Sequence, residues 1–211
     1  GSGTVTFNAT TAGHALSGTM TGATGKFYNL TFNGINGAWS FGANAGEVAN
    51  DLTITNGALT APSSTLTITG NYSNSGTFTH NSGLVTFNST SSGKTLGGTM
   101  TGASKFNNLT LNGINGAWSF GANAGEVAND FTITNGTLTA PSSTLTITGN
   151  YSNAGTFTAG IGKVIFNKSG TQTLNSGGSS FYDILHSGTG TLQLVTNALT
   201  TTAFTNSANT T

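Results

Sequence analysis

The chain has no cysteine, only two prolines, and charged side chains at just 5% of its positions. Each scarcity excludes something. Without cysteine there is no disulfide framework and no thiolate site. With so little proline in a glycine-rich chain, collagen and proline-rich linkers are ruled out. A typical soluble domain is roughly 25% charged, so solubility here rests on Thr, Ser, Asn and Gly. Net charge is zero and only five residues are Lys or Arg, which argues against nucleic acid as a partner, since phosphate binding needs clustered Lys and Arg, and gives no basis for a polybasic membrane patch. No apolar run approaches the ~18 residues of a membrane span. No signal peptide is visible and the first residues, Gly1-Ser2-Gly3, lack a Met, as in a processed or partial chain.

What is present is repetition. The segment Asn33 to Asp51, NGINGAWSFGANAGEVAND, recurs unchanged from Asn112 to Asp130. TAPSSTLTITGNYSN, from Thr60 to Asn74, recurs from Thr139 to Asn153. The offset is 79 residues, with one residue deleted near Lys105. GKVIFN at Gly162 matches GTVTFN at Gly3 and GLVTFN at Gly83. This divides the chain into repeats 3–82 and 83–161 and a diverged partial repeat 162–211, expected to form a single solenoid over 1–211.

Within each repeat, strand-like segments alternate apolar and polar residues and are rich in Thr, Val and Ile, a pattern that favours β-strands. Their first inward residues are Val5, Leu30, Leu52, Leu66, Val85, Leu109, Phe131, Leu145, Val164 and Ile184. The spacing averages about twenty residues, the length of one turn of a three-sided parallel β-helix. The expected fold is therefore all-β: a right-handed parallel β-helix, or β-solenoid, of about ten rungs, four to each repeat. An antiparallel sandwich or propeller would need two-residue hairpin turns throughout, and like strands fourteen to twenty-five residues apart favour parallel stacking instead.

Three sets of side chains follow from that stacking. Thr6, Thr31, Thr53, Thr67, Thr86, Thr110, Thr132 and Thr146 are expected to form one outward threonine column, broken at Ile165. Asn8, Asn33, Asn56, Asn71, Asn88, Asn112, Asn135, Asn150 and Asn167 end the strands, where Asn and Gly tolerate positive φ. Stacked at one corner, their amides would hydrogen-bond as a ladder. Trp39 and Trp118 alternate with Phe41 and Phe120 and read as core. Tyr72 and Tyr151 follow the Asn corner and are candidates for exposed surface contacts. His186 falls where an inward Leu is expected, so stacking should end or bend there.

The grammar GTVTFN, FYNLTFNG, NDLTITNGALT and STLTITGNYSNSGTFT resembles the β-strand-repeat segments of very large bacterial surface proteins, similar to filamentous-haemagglutinin and autotransporter-type adhesins. The resemblance covers nearly the whole chain. It implies a secreted or cell-surface location and a structural role as a stalk, adhesin or fibre, and it supplies no catalytic residues.

Some parallel β-helices cleave polysaccharides, which needs paired carboxylates or carboxylate-held Ca²⁺ with a basic residue. The only acids are Glu47, Asp51, Glu126, Asp130 and Asp183. The two Glu–Asp sets would lie about 19 Å apart at ~4.8 Å per rung, too far to act together. His14, His80 and His186 do not recur together. The expectation is a non-enzymatic protein with no catalytic, cofactor or metal site. Its expected partners are further copies stacked end to end, or more of its own chain, and surface glycans. The alternatives are a carbohydrate-binding or carbohydrate-degrading β-helix and, less favoured, an ice-binding Thr-faced solenoid.

Overall fold

The computed structural model describes residues 2–207. Strands of two to twelve residues make up most of it, and every strand pair between elements is parallel. The helical content is one turn at Gly22–Gly25 and one 3-10 turn at Gly102–Ser104. The protein is a parallel β-helix, a three-sided coil in which each strand lies on the strand one turn before it.

The sides are named here in the order the chain visits them. Face I starts at Thr4–Phe7, face II at His14–Ala15, and face III at Met20 and Phe27. On face III one inward position passes from Met20 to Gly46, Leu66, Val85, Leu109, Phe131, Tyr151, Leu174 and Leu194. That column gives nine levels, about 40 Å of rod at ~4.8 Å per level.

The core follows from strict alternation. Along each strand every second side chain points inward, so each face contributes two apolar columns and the coil encloses six. Leu30, Leu52, Leu66, Leu109, Leu145 and Ile184 are fully buried. At ~25 cal/mol per Å² of apolar surface, each such leucine contributes roughly 2 kcal/mol against chain entropy. The short segments AWSF, ALTA and TFTH also form strands on the neighbouring side, with Trp39 over Leu59 over Phe78.

The rung expectation needs one correction. Leu52 does not stack on Leu66; it stacks on Tyr72, twenty residues on. The fourteen-residue step joins two faces of the same turn. One sequence repeat is therefore not four turns. From Val5 the chain makes three turns on face I, to Leu30, Leu52 and Tyr72. It then passes two more sides to Val85, which stacks on Leu66 in face III. The repeat is three and two-thirds turns long, so each copy is rotated by one face against the last. Val5 lies on face I, Val85 on face III, and Val164, stacked on Leu145, on face II.

The expected bend at His186 is also absent. His186 points inward, is buried, and stacks on Phe166 and under Asn206, with its Nδ1 3.1 Å from Asn206 Oδ1. Parallel pairing continues to Thr201–Asn206. A histidine ring is close enough to leucine in size to fill the column once one nitrogen has a partner. Its Nε2 is buried without one.

Candidate functional site

The rotation of the repeats redistributes every predicted surface feature. The eight threonines do not form one column. Thr6, Thr31 and Thr53 stack on face I and continue into Ser73. Thr67, Thr86, Thr110 and Thr132 stack on face III and continue into Ser152. Thr146 lies on face II between Glu126 and Ile165. Like residues in the sequence land on different sides because the period of the repeat and the period of the turn differ by a third of a turn.

The asparagines divide in the same way. Asn8, Asn33 and Asn56 sit on the edge between faces I and II. Asn71, Asn88, Asn112 and Asn135 sit between faces III and I, and Asn150 and Asn167 between faces II and III. Two predicted pairs bond amide to amide. Asn56 Nδ2 donates to Asn33 Oδ1 at 2.7 Å, and Asn135 Nδ2 to Asn112 Oδ1 at 2.8 Å.

The longest side-chain ladder joins the expected Asn71 to residues outside the expected set. It begins with Asn29 Nδ2 donating to Thr4 Oγ1 at 3.3 Å. Asn29 Oδ1 accepts from Asn50 Nδ2 at 2.8 Å and from the Asp51 amide at 3.2 Å. Asp51 Oδ1 accepts from the Asn71 amide and side chain at 2.8 and 2.9 Å. Asn71 Oδ1 then accepts from the Thr95 amide and hydroxyl at 2.9 and 3.1 Å. The second repeat rebuilds most of this one edge away through Asn108, Asn129, Asp130, Asn150 and Thr173. The signal was available in the sequence: Asn29, Asn50 and Asp51 recur as Asn108, Asn129 and Asp130. They precede strands instead of ending them.

The acidic residues are engaged in the scaffold. Asp51 and Asp130 accept main-chain amides at the corners. Glu47 Oε1 is 3.2 Å from Lys26 Nζ, while its Oε2 accepts from the Gly22 amide at 2.8 Å, pinning the helical turn to the next rung. Glu126 repeats this with Lys105 at 3.1 Å and the Gly102 amide at 2.8 Å. Asp183 pairs with Lys163 at 3.3 Å. Among the described residues no three of His, Asp and Glu gather closely enough to hold a metal ion. No helix among them is long and apolar enough to cross a membrane.

Tyr72 and Tyr151 are not surface contacts. Both are 1% exposed and sit in the inward columns, because the residue after the Asn corner starts a strand with its inward position. Their rings meet Phe78 at 5.9 Å and Phe157 at 6.0 Å edge to face, a favoured aromatic geometry. Burial pushes both phenols above their ordinary range, with the Asn74 side chain opposing the rise at Tyr72. The exposed tyrosines are Tyr28 and Tyr182. Trp39 and Trp118 are buried as expected. Each indole lies against the glycines of the NGING corner, where a Cβ on Gly37 or Gly116 would meet the ring.

That corner produces the most prominent surface feature. A Cβ on Gly34 would overlap the Ala9 carbonyl oxygen, and one on Gly113 the Ser89 carbonyl oxygen. Asn36 and Asn115 adopt φ of 64°, a left-handed conformation Asn tolerates better than most residues. Between them the chain bulges and projects Ile35 and Ile114, each 66% exposed. Beside Ile35 lies a shallow cleft of about 470 Å³ with a floor of small residues, including Ala38, Gly57, Ala58 and Gly76.

No family model, no curated protein and no solved structure matches this chain. The geometry itself therefore carries the functional argument. It offers a long rod with no net charge, short polar ladders along its edges, and exposed isoleucine corners, with a cleft beside Ile35.

Proposed function

We propose that the protein is an extracellular structural rod, either the stalk of a surface adhesin or a subunit of a fibre. The observation that carries this reading is the stack of parallel strands over nine levels, with open strand edges in the first and last turns among the described residues. Among the described residues, Thr4–Phe7 pairs only with Asn29–Phe32, and Thr201–Asn206 only with the strand Phe181–His186. A free strand edge is a template for further strand pairing. More of the same chain would satisfy it in a stalk, and a second copy in a fibre. The apolar ends, with Val5 41% and Phe204 48% exposed, and the zero net charge support association over repulsion. The likeness of the repeat grammar to bacterial surface proteins supports the extracellular assignment.

Negative-stain images over a concentration series test the reading. Rods that lengthen in steps of one molecule support the fibre form, and rods of constant length support the stalk form. Depolymerisation of a polysaccharide by the purified chain would overturn the structural reading altogether.

A further inference from the structure

We infer that the edge between faces I and II is a lateral contact surface between two copies of this chain, paired antiparallel about a two-fold axis. Two exposed isoleucines stand on that one edge. Ile35 lies between Phe32 on face I and Trp39 on face II. Ile161, 72% exposed, lies between Ala159 on face I and Val164 on face II. They are six levels apart along face I. Leu30, Leu52, Tyr72 and Leu96 stack in turn, and from the strand holding Leu96 the column continues through Lys94, Trp118, Leu138 and Phe157. At ~4.8 Å per level the separation is about 29 Å.

The surface between them is neutral. The corners of this edge read NGING, TNG, SG, GGT, GANA, PSS and GIG, without one ionisable side chain. The nearest charge, Lys163 two residues beyond Ile161, is paired with Asp183 at 3.3 Å, so a strongly charged partner is poorly matched there and a second copy meets no unpaired like charge at the corners. The edge is also self-complementary. The cleft beside Ile35 is floored by glycine and alanine, and it is open enough to receive a branched aliphatic side chain. A two-fold axis midway along the edge sets Ile161 of each copy into the cleft beside Ile35 of the other, the reciprocal pattern that such symmetry requires. A parallel pairing would set Ile35 against Ile35 and leave both clefts empty.

The strip is about 29 Å long and, at strand-corner width, ~15 Å across. Pairing would bury roughly 900 Å² in total, below the ~1,200 Å² of a stable complex. Association is therefore weak and rises with concentration. It thickens the rod, whereas end-to-end stacking lengthens it, so the two ideas stand or fall separately.

Ile114 supplies the control. It has the same corner and the same exposure as Ile35, but the rotation of the repeat places it between faces III and I. Sedimentation equilibrium on Ile35→Asn, Ile161→Asn and Ile114→Asn, each checked for an unchanged β-sheet spectrum, tests the edge. The first two should weaken dimerisation at least tenfold and the third should leave it unchanged. Equal loss in all three, or a wild-type chain that stays monomeric throughout, overturns the inference. Because the chain has no cysteine, orientation can be read directly. Ile35→Cys and Ile161→Cys variants, mixed and mildly oxidised, should cross-link to each other in preference to themselves. Preferential self-linking of either variant overturns the antiparallel arrangement.

Discussion

The segments 33–51 and 112–130 are identical in sequence and nearly identical in burial, yet they face different directions. Trp39 packs on face II, where its ring meets Phe32 at 5.2 Å and Phe7 at 6.3 Å. Trp118 packs on face I, over Lys94 and under Leu138. The first copy has a single turn beneath it, and the second lies mid-rod. Local sequence sets a strand, a corner and an inward side. The side of the rod on which these appear depends on the residues accumulated since the start of the coil. Duplicated surface motifs therefore wind around the rod instead of lining up along it.

Paired substitutions can break or sharpen this comparison. Trp118→Ala should cost about 4 kcal/mol, within the range for large-to-small changes in a packed core. Trp39→Ala should cost about 1 kcal/mol less, because the single turn below it can relax; denaturant melts of both variants would measure the gap. Equal costs would mean that the end of the rod is as rigid as its middle. Gly113→Ala should cost about 3 kcal/mol through overlap with the Ser89 carbonyl. The same change at Gly34 presses on Ala9 in the outermost turn and should cost less, read as a smaller shift in melting temperature.

The polar ladders allow a finer test. Asp51 Oδ1 accepts from both the main chain and the side chain of Asn71, and Asp130 Oδ1 accepts from the Asn150 main chain. Asp51→Ala should cost about 3 kcal/mol and Asp130→Ala about 2 kcal/mol, within the usual range for hydrogen bonds to charged groups. Hydrogen exchange at the Asn71 and Asn150 amides would locate each loss. In the opposite direction, Tyr151→Phe should stabilise the fold by about 1 kcal/mol, since the Tyr151 hydroxyl is buried without a partner.

The smallest effect concerns acid. His80 is held below its ordinary value first by burial and then by the Lys105 charge, and its Nδ1 accepts from the Ser82 amide at 2.9 Å. Its contribution is fully present above the unfolded value near 6.5 and is lost as pH falls toward the lowered folded value. His80→Ala, matching Ala159 in the second repeat, should remove that slight acid-side fall in melting temperature. An unchanged pH profile would show that another group produces it.

Much of the fold was legible because strand alternation is a local property. The inward residues Leu30, Leu52, Leu66 and their successors could be assigned from period-two patterning, and Trp39 and Trp118 from their alternation with phenylalanine. Tyr72 and Tyr151 were misplaced because the corner ends at Asn71 and Asn150, and the next residue is already an inward position. Most of the Asn29–Asp51–Asn71 ladder was missed because Asn29, Asn50 and Asp51 stand before strands, whereas the expected ladder took the residues that end them. Only the register brings them within bonding distance.

The sequence alone determined the strands, their inward sides, the glycine corners and the parallel repeat. Those depend on alternation, β-branching and backbone sterics within a few residues. Only the tertiary structure decided which strands share a face. That follows from closing each turn at nineteen to twenty-six residues, and no residue in isolation specifies it. The third-of-a-turn mismatch between repeat and coil divides the threonine column over three faces. It also turns two identical isoleucine corners onto different edges of the rod.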